Sequence, residues 1–217
     1  MSGDRATGSD DATVDYDAIV LVGGAGSRLG GVDKAAVELA GRSLVSRSLE
    51  AVRHARTLVV VGDTSAPEVP DRATRVVEDP PGSGPAAATV AGLRAIEEPA
   101  AWTYLVACDV PGAVGAIHLL AQADAGESDG VVLAEPGGRL QWLLGCYRSI
   151  ALYDAAERIG DAADRSMRAL LEDLDLTPVC APEDVWRDVD TWDDHARWEH
   201  TLAERTQTAP RGHDGQG

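Results

Sequence analysis

Lysine is all but missing from this sequence. Lys34 is the only one, and the other 18 of the 19 basic residues are arginines. Phenylalanine is absent, cysteine occurs three times, and no apolar run approaches the roughly 20 residues that span a bilayer. Cys108, Cys146 and Cys180 are far apart and form no CxxC or Cys/His spacing, which argues against a zinc site or a disulfide framework. Each lies in or beside an apolar run and reads as a small buried hydrophobe. The N-terminus is acidic and polar, without the apolar core of a secretory leader, so the expected setting is cytoplasmic with no membrane partner. Positive charge is short too. A net charge of −17 argues against non-specific attraction to nucleic acid or to an anionic lipid surface. The same charge repels an anionic substrate, so a phosphate site must be local and helped by a metal.

Residues 1–15 and 206–217 are polar and contain glycine, and both read as disordered tails around one domain, 16–205. Within it, short Val/Ile/Leu runs alternate with helical patterns. Ala18–Gly23, Thr57–Gly62, Arg75–Glu78 and Trp102–Asp109 are expected strands, with helices over Ser43–Ala55 and Pro85–Glu97. Strands that are apolar throughout, separated by helices, imply a mostly parallel sheet covered on both faces, a three-layer α/β domain. Later, Gly130–Ala134 and Leu140–Tyr147 form an expected hairpin around Glu135-Pro-Gly-Gly138. Helices are expected at Ala151–Ile159, Ser166–Leu174 and Thr191–Glu204, and strands at Leu176–Cys180 and Trp186–Val189.

The lone lysine ends the segment Leu21-Val-Gly-Gly-Ala-Gly-Ser-Arg-Leu-Gly-Gly-Val-Asp-Lys34, which follows the first strand. Loops at the carboxyl ends of parallel strands are where α/β sheets bind ligands. Glycines such as Gly23, Gly24 and Gly26 let backbone amides approach an anion closely. Arg28 offers a planar fork of donors and Lys34 a compact mobile charge, a combination suited to a triphosphate losing pyrophosphate. A drift from lysine to arginine explains the scarcity of lysine but not its position. The spacing departs from GxGxxG, and no GK[ST] follows as in a Walker A loop.

Asp109 closes the run Tyr104-Leu-Val-Ala-Cys108. A carboxylate at the tip of a buried strand is costly to desolvate unless it is paired or metal-bound, and Mg²⁺ prefers oxygen ligands together with substrate phosphates. The alternative is a residue that opens a turn. Glu78-Asp79-Pro-Pro-Gly-Ser-Gly84-Pro85 reads locally as a turn into a helix. In Asp188-Val-Asp190-Thr-Trp-Asp-Asp194, Thr191 is a natural helix N-cap with Asp194 three residues on. Asp190 is either a second metal or substrate contact or a residue without one. Arg165 and Arg168 lie near one helix start, suited either to a phosphate or to a surface ion pair.

The stretch from Leu21 to Lys34 resembles the signature of the nucleotidyltransferases typified by molybdenum cofactor guanylyltransferase, with Val22 and Leu29 as apolar exchanges. Gly31-Val-Asp-Lys34 is similar to the guanine-using branch, and Glu38-Leu-Ala-Gly41-Arg-Ser-Leu44 to the family's continuation. The resemblance implies a Rossmann-like nucleotidyltransferase fold of the nucleotide-diphospho-sugar transferase type. It implies GTP and a molybdopterin-type acceptor as substrates, Mg²⁺ as cofactor, and molybdoenzyme maturation proteins as candidate partners. By the same resemblance, Leu21, Val22, Gly23, Gly24, Gly26, Lys34, Gly62, Asp79, Gly84 and Asp109 contact the nucleotide. Arg28, Lys34 and Asp109 are catalytic, and Asp109 and Asp190 are metal ligands. Trp192 departs from the proline usual there, and Gly62 stands where the family often has asparagine. The rival readings are CTP with the same acceptor, GTP with a phospholactate, an NADP-dependent oxidoreductase, and a nucleotide-binding regulator without turnover.

Overall fold

The computed structural model describes residues 15–23, 33–64 and 66–208. Gly24, Gly26 and Arg28 lie outside the described residues, as do the expected tails except for Asp15 and the end of the last helix.

Seven strands form one sheet: β1 (Tyr16–Leu21), β4 (Leu58–Val61), β5 (Thr74–Val76), β6 (Trp102–Ala107), β7 (Gly130–Ala134), β8 (Leu140–Arg148) and β9 (Leu176–Cys180). Their spatial order is β5-β4-β1-β6-β8-β7-β9. β5, β4, β1 and β6 run parallel, β9 is parallel to β7, and β8 opposes both of its neighbours. A small hairpin, β2 (Glu38–Leu39) with β3 (Arg42–Ser43), stands apart from this sheet.

Alternation explains the three layers. Ala18, Val20, Leu58, Val60, Tyr104 and Val106 face one side, under α1 (Leu44–Ala51) and α3 (Ala113–Gln122). Ile19, Leu21, Val59, Val61 and Leu105 face the other, under α2 (Pro85–Arg94), α4 (Ser149–Ile159) and α5 (Met167–Leu171). Each fully buried Val, Leu or Ile contributes about 1.5–3 kcal/mol, so a strand apolar on both faces is fixed in the middle of the sandwich. Near its start, β1 carries a fully buried Asp17. Its carboxylate accepts hydrogen bonds from the Thr57 and Ala100 backbone amides and from Arg56, tying three chain segments together.

Two further helices complete the described residues: α6 (Glu183–Trp186) and α7 (Trp192–Thr208). Trp198 of α7 packs with Val37, Leu39, Leu44 and Val189 in a satellite core that holds the hairpin against the main domain. Among the described residues no helix is long and apolar enough to cross a membrane.

Two expectations need correction, and one helix is new. The strand expected at Trp186–Val189 is instead the end of α6 followed by a segment that leaves the helix in extended backbone at Arg187 and joins no strand. Pro182 as N-cap with Glu183 and Asp184 in the first turn starts a helix there. α3 was not expected at all. Cys180 is exposed, whereas Cys108 and Cys146 are buried, and all three are free thiols.

Candidate active site

β1 and β6 are neighbours in register, Leu21 opposite Ala107, so the residues that follow them emerge side by side at the carboxyl edge. Cys108 donates its amide to the Leu21 carbonyl at 3.0 Å and extends this pairing one step further. β4 ends on the opposite flank of β1. There Gly62 adopts φ +120°, and a Cβ on it would lie 2.8 Å from the Gly23 amide nitrogen. Only glycine lets the end of β4 pack this closely against the entry to the glycine-rich segment. Close backbone approach also explains why no side-chain donor stands at Gly62.

Lys34 opens a single 3₁₀ turn, Lys34–Ala36, that is capped by Asp33. The Asp33 carboxylate accepts from the Ala35 amide at 3.0 Å and from the Thr64 hydroxyl at 3.1 Å. With Ala35 fully buried, the turn is pinned and the lysine is aimed back over the sheet edge. Its ammonium donates to Asp190 Oδ1 at 2.5 Å and reaches Asp109 Oδ2 at 3.4 Å, with 11 % of the side chain exposed.

The third participant arrives through one main-chain bond. Val189 is buried in the satellite core and donates its amide to the Asp109 carbonyl at 2.8 Å. In an extended segment, successive side chains alternate. With Val189 turned inward, Asp188 and Asp190 both project to the side where Asp109 stands. Carboxylate oxygens of Asp109, Asp188 and Asp190 lie within 4.8 Å of one another.

Three carboxylates against one ammonium leave the cluster negative. Burial raises the Asp109 pKa and outweighs the lowering effect of Lys34, while Asp190 adds to the rise. Asp188 is raised by burial and then by the charges of Asp109 and Asp190. For Lys34, burial disfavours the charged form, but the hydrogen bond it donates to Asp190 and the charge of Asp109 prevail, and its pKa rises. Hard divalent cations take carboxylate oxygens, and this donor set fits one.

A cleft of about 860 Å³ opens beside the cluster. Lys34, Asp109 and Asp188 line it beside Leu21 and Gly23, and Leu140, Trp142, Leu143, Met167 and Trp186 form an apolar side, with Arg139, Arg168 and Glu172 adding charge. Pro85, at the first position of α2, also lines it, placed by Gly84 at φ +92°. Asp79 does not. It is exposed and lines a separate depression of about 540 Å³ with Arg94 and Ala163. Val22 is buried and pairs through its amide with Val61. Arg168 approaches Glu172 at 3.2 Å, the ion pair weighed as its alternative use.

A family model described as the MobA-like NTP transferase domain matches residues 18–202. The chain belongs to that family. A curated relative from Pseudomonas putida KT2440, named molybdenum cofactor guanylyltransferase, is 32 % identical over 172 residues, covering 76 % of this chain and 87 % of the relative. Its counterpart from Pseudomonas fluorescens Pf0-1 is 28 % identical over 169 residues, covering 76 % and 83 %. Among solved structures, molybdopterin-guanine dinucleotide biosynthesis protein A from Archaeoglobus fulgidus superposes with a TM-score of 0.66 at 24 % identity, covering 87 % of this chain and all of that one. The 2-C-methyl-D-erythritol 4-phosphate cytidylyltransferase of Thermus thermophilus gives 0.62 at 18 %, covering 87 % and 99 %. These structures confirm the nucleotidyltransferase fold, and the chain is a nucleotidyltransferase that, like others of its family, is suited to a divalent metal.

Within this family site, the structure brings together Lys34, Asp109 and Asp190, three residues singled out separately in the sequence, and adds Asp188, to which the sequence assigned no role. The available signal was its separation of two from Asp190 on one side of an extended segment. Trp142 was likewise unassigned.

Proposed function

We infer that this nucleotidyltransferase transfers GMP from GTP to the phosphate of molybdenum-bound molybdopterin, releasing pyrophosphate and forming the guanine dinucleotide cofactor. The observation that carries this reading is the meeting of Lys34 with Asp109 and Asp190 at the carboxyl edge of β1 and β6, beside a cleft with a charged and an apolar half. Domain 16–205 is the catalytic unit, and the setting is the cytoplasm, where GTP is supplied.

Asp109, Asp188 and Asp190 would hold Mg²⁺, which supplies charge neutralisation to the triphosphate when bound. An acceptor phosphate oxygen forms a bond to the α-phosphorus of GTP in line with the oxygen that leads to the β-phosphate. That bond breaks as the new one forms, and its electron pair departs with pyrophosphate. The phosphate nucleophile is already anionic, so no general base is needed; positioning and charge stabilisation supply the rate. Lys34, a mobile point charge at the sheet edge, neutralises the charge that grows on the leaving group. By resemblance, Arg28 and the amides of Gly24 and Gly26 assist it. Arg168, which lines the cleft and pairs with Glu172, would turn from that carboxylate to the acceptor's phosphate.

The test is pyrophosphate release with each nucleoside triphosphate, with and without molybdopterin. GTP should support acceptor-dependent release, and Asp109→Asn should nearly abolish it while the melting temperature is kept. Preference for CTP would instead make the protein a cytidylyltransferase. Release independent of molybdopterin would remove the acceptor assignment.

A further inference from the structure

The apolar half of the cleft rests on an irregularity in β8. Against β7, Val132 pairs with Gly145, but the next residue, Leu133, pairs with Gln141, so Trp142, Leu143 and Leu144 are extra residues on the β8 side. Against β6 the pairing ends at Val106 with Leu144, so Trp142 and Leu143 run beyond that strand into the cleft. Bulges re-aim side chains and recur beside active sites.

This one is braced from beneath. The Tyr147 ring, fully buried, lies 2.6 Å from where a Cβ on Gly145 would sit, so only glycine admits it. Its hydroxyl then donates to the Trp142 carbonyl at 2.7 Å. A buried aromatic that spends its one polar group on a single peptide of a bulge fixes the direction of that bulge. Trp142 remains half-buried and lines the cleft with Met167 and Trp186.

We propose that Trp142, held by the Gly145–Tyr147 brace, is the stacking platform for the flat heterocycle of the acceptor and sets acceptor specificity. The position on β8 separates it from the nucleotide. Lys34 and Gly23, which the guanylyl-transfer reading assigns to the triphosphate, line the cleft on the β1 side, and β8 lies beyond β6 on the other. An occupant spanning both regions needs an anionic group near Arg168 and a planar ring for the indole, which describes a phosphorylated pterin. The proposal rests on the guanylyl-transfer reading given above.

The experiment compares wild type, Trp142→Leu, Trp142→Phe and Tyr147→Phe in the full chain with Mg²⁺. It measures KM for GTP and for molybdopterin, calorimetric binding of a pterin phosphate monoester, and melting temperature. Loss of one stacking partner should weaken pterin binding and raise the acceptor KM about tenfold in Trp142→Leu. The GTP KM should stay within twofold, and Trp142→Phe should recover most of the loss. Tyr147→Phe keeps the ring and should raise the acceptor KM severalfold without touching the GTP KM. An unchanged acceptor KM in Trp142→Leu, or a rise confined to GTP, overturns the platform while leaving guanylyl transfer intact. A wild-type protein that turns over no molybdopterin overturns the acceptor reading and the platform with it.

Discussion

In the folded chain Lys34 is the counter-charge of Asp109 and Asp190, and in the mechanism proposed above it also serves the leaving pyrophosphate. These two duties can be separated. Removing the ammonium takes away hydrogen bonds to charged groups, about 1.5 kcal/mol in all, or a fall of roughly 3–6 °C in a domain of this size. Saturating Mg²⁺ should restore that loss because it neutralises the same carboxylates. Loss of transition-state stabilisation should remain, and kcat of Lys34→Ala should stay about 10²–10³ below wild type. Lys34→Arg should recover only part, since a planar fork cannot occupy the place of a point charge. Steady-state kinetics paired with melts at low and saturating Mg²⁺ check this; activity that returns together with the melting temperature would make Lys34 structural. At this scale the site was legible where one residue type is chemically out of place, as with the lone lysine or an aspartate closing an apolar strand. Asp188 and Trp142 were not legible, because each becomes unusual only in the fold: Asp188 through the Asp109 carboxylate 79 positions earlier, and Trp142 through the register shift in β8 and the Tyr147 hydroxyl on its carbonyl.

The position of Asp188 and Asp190 depends on how α7 begins. Thr191 accepts from the Asp194 amide at 3.2 Å, and the Asp194 carboxylate accepts from the Thr191 amide at 3.0 Å and its hydroxyl at 2.7 Å. This reciprocal cap was readable from the four residues alone. The hydrogen bond from the Thr191 side chain is the main reason the Asp194 carboxyl titrates below its ordinary value. A folded-state pKa below the unfolded one adds stability that is complete above the unfolded value, about 4, and fades as pH falls through the folded one. Thr191→Ala should therefore cost about 1 kcal/mol at neutral pH, and the gap to wild type should narrow below about pH 4. Urea titrations at several pH values measure it, and a gap independent of pH would show that the carboxylate has no part in the cap. α3 shows where such reading fails. Its buried residues Ala113, Ala116, Ile117 and Leu120 keep perfect helical spacing. Its outer face, however, carries Val114 at 47 % exposure and no charged residue, so the contrast that reveals a helix is missing. The strands fared better, because runs such as Leu58–Val61 are buried on both faces and read the same from either side.

Across the whole molecule, charge is the dominant global term. A net charge of −17 destabilises any compact state through self-repulsion, and Asp109, Asp188 and Asp190 concentrate that repulsion at one point. Two kinds of cation relief follow, and they differ in kind. Monovalent salt screens the distributed charge, since the Debye length falls from about 30 Å at 0.01 M to about 10 Å at 0.1 M, so the melting temperature should climb with NaCl. A divalent cation bound by the cluster adds a mass-action term on top, about 1.4 kcal/mol at tenfold its dissociation constant, or roughly 3–5 °C here. MgCl₂ should thus stabilise the protein beyond NaCl of equal ionic strength. Asp188→Asn removes one member of the crowded trio, so in NaCl it should melt no lower than wild type and even slightly higher. In MgCl₂ it should lose most of the excess stabilisation. That reversal of rank between the two salts cannot arise from screening, which acts alike on both proteins. If wild type and Asp188→Asn gain equally from MgCl₂, Asp188 is no part of a cation site, and the cluster reduces to the pair of carboxylates that Lys34 already serves.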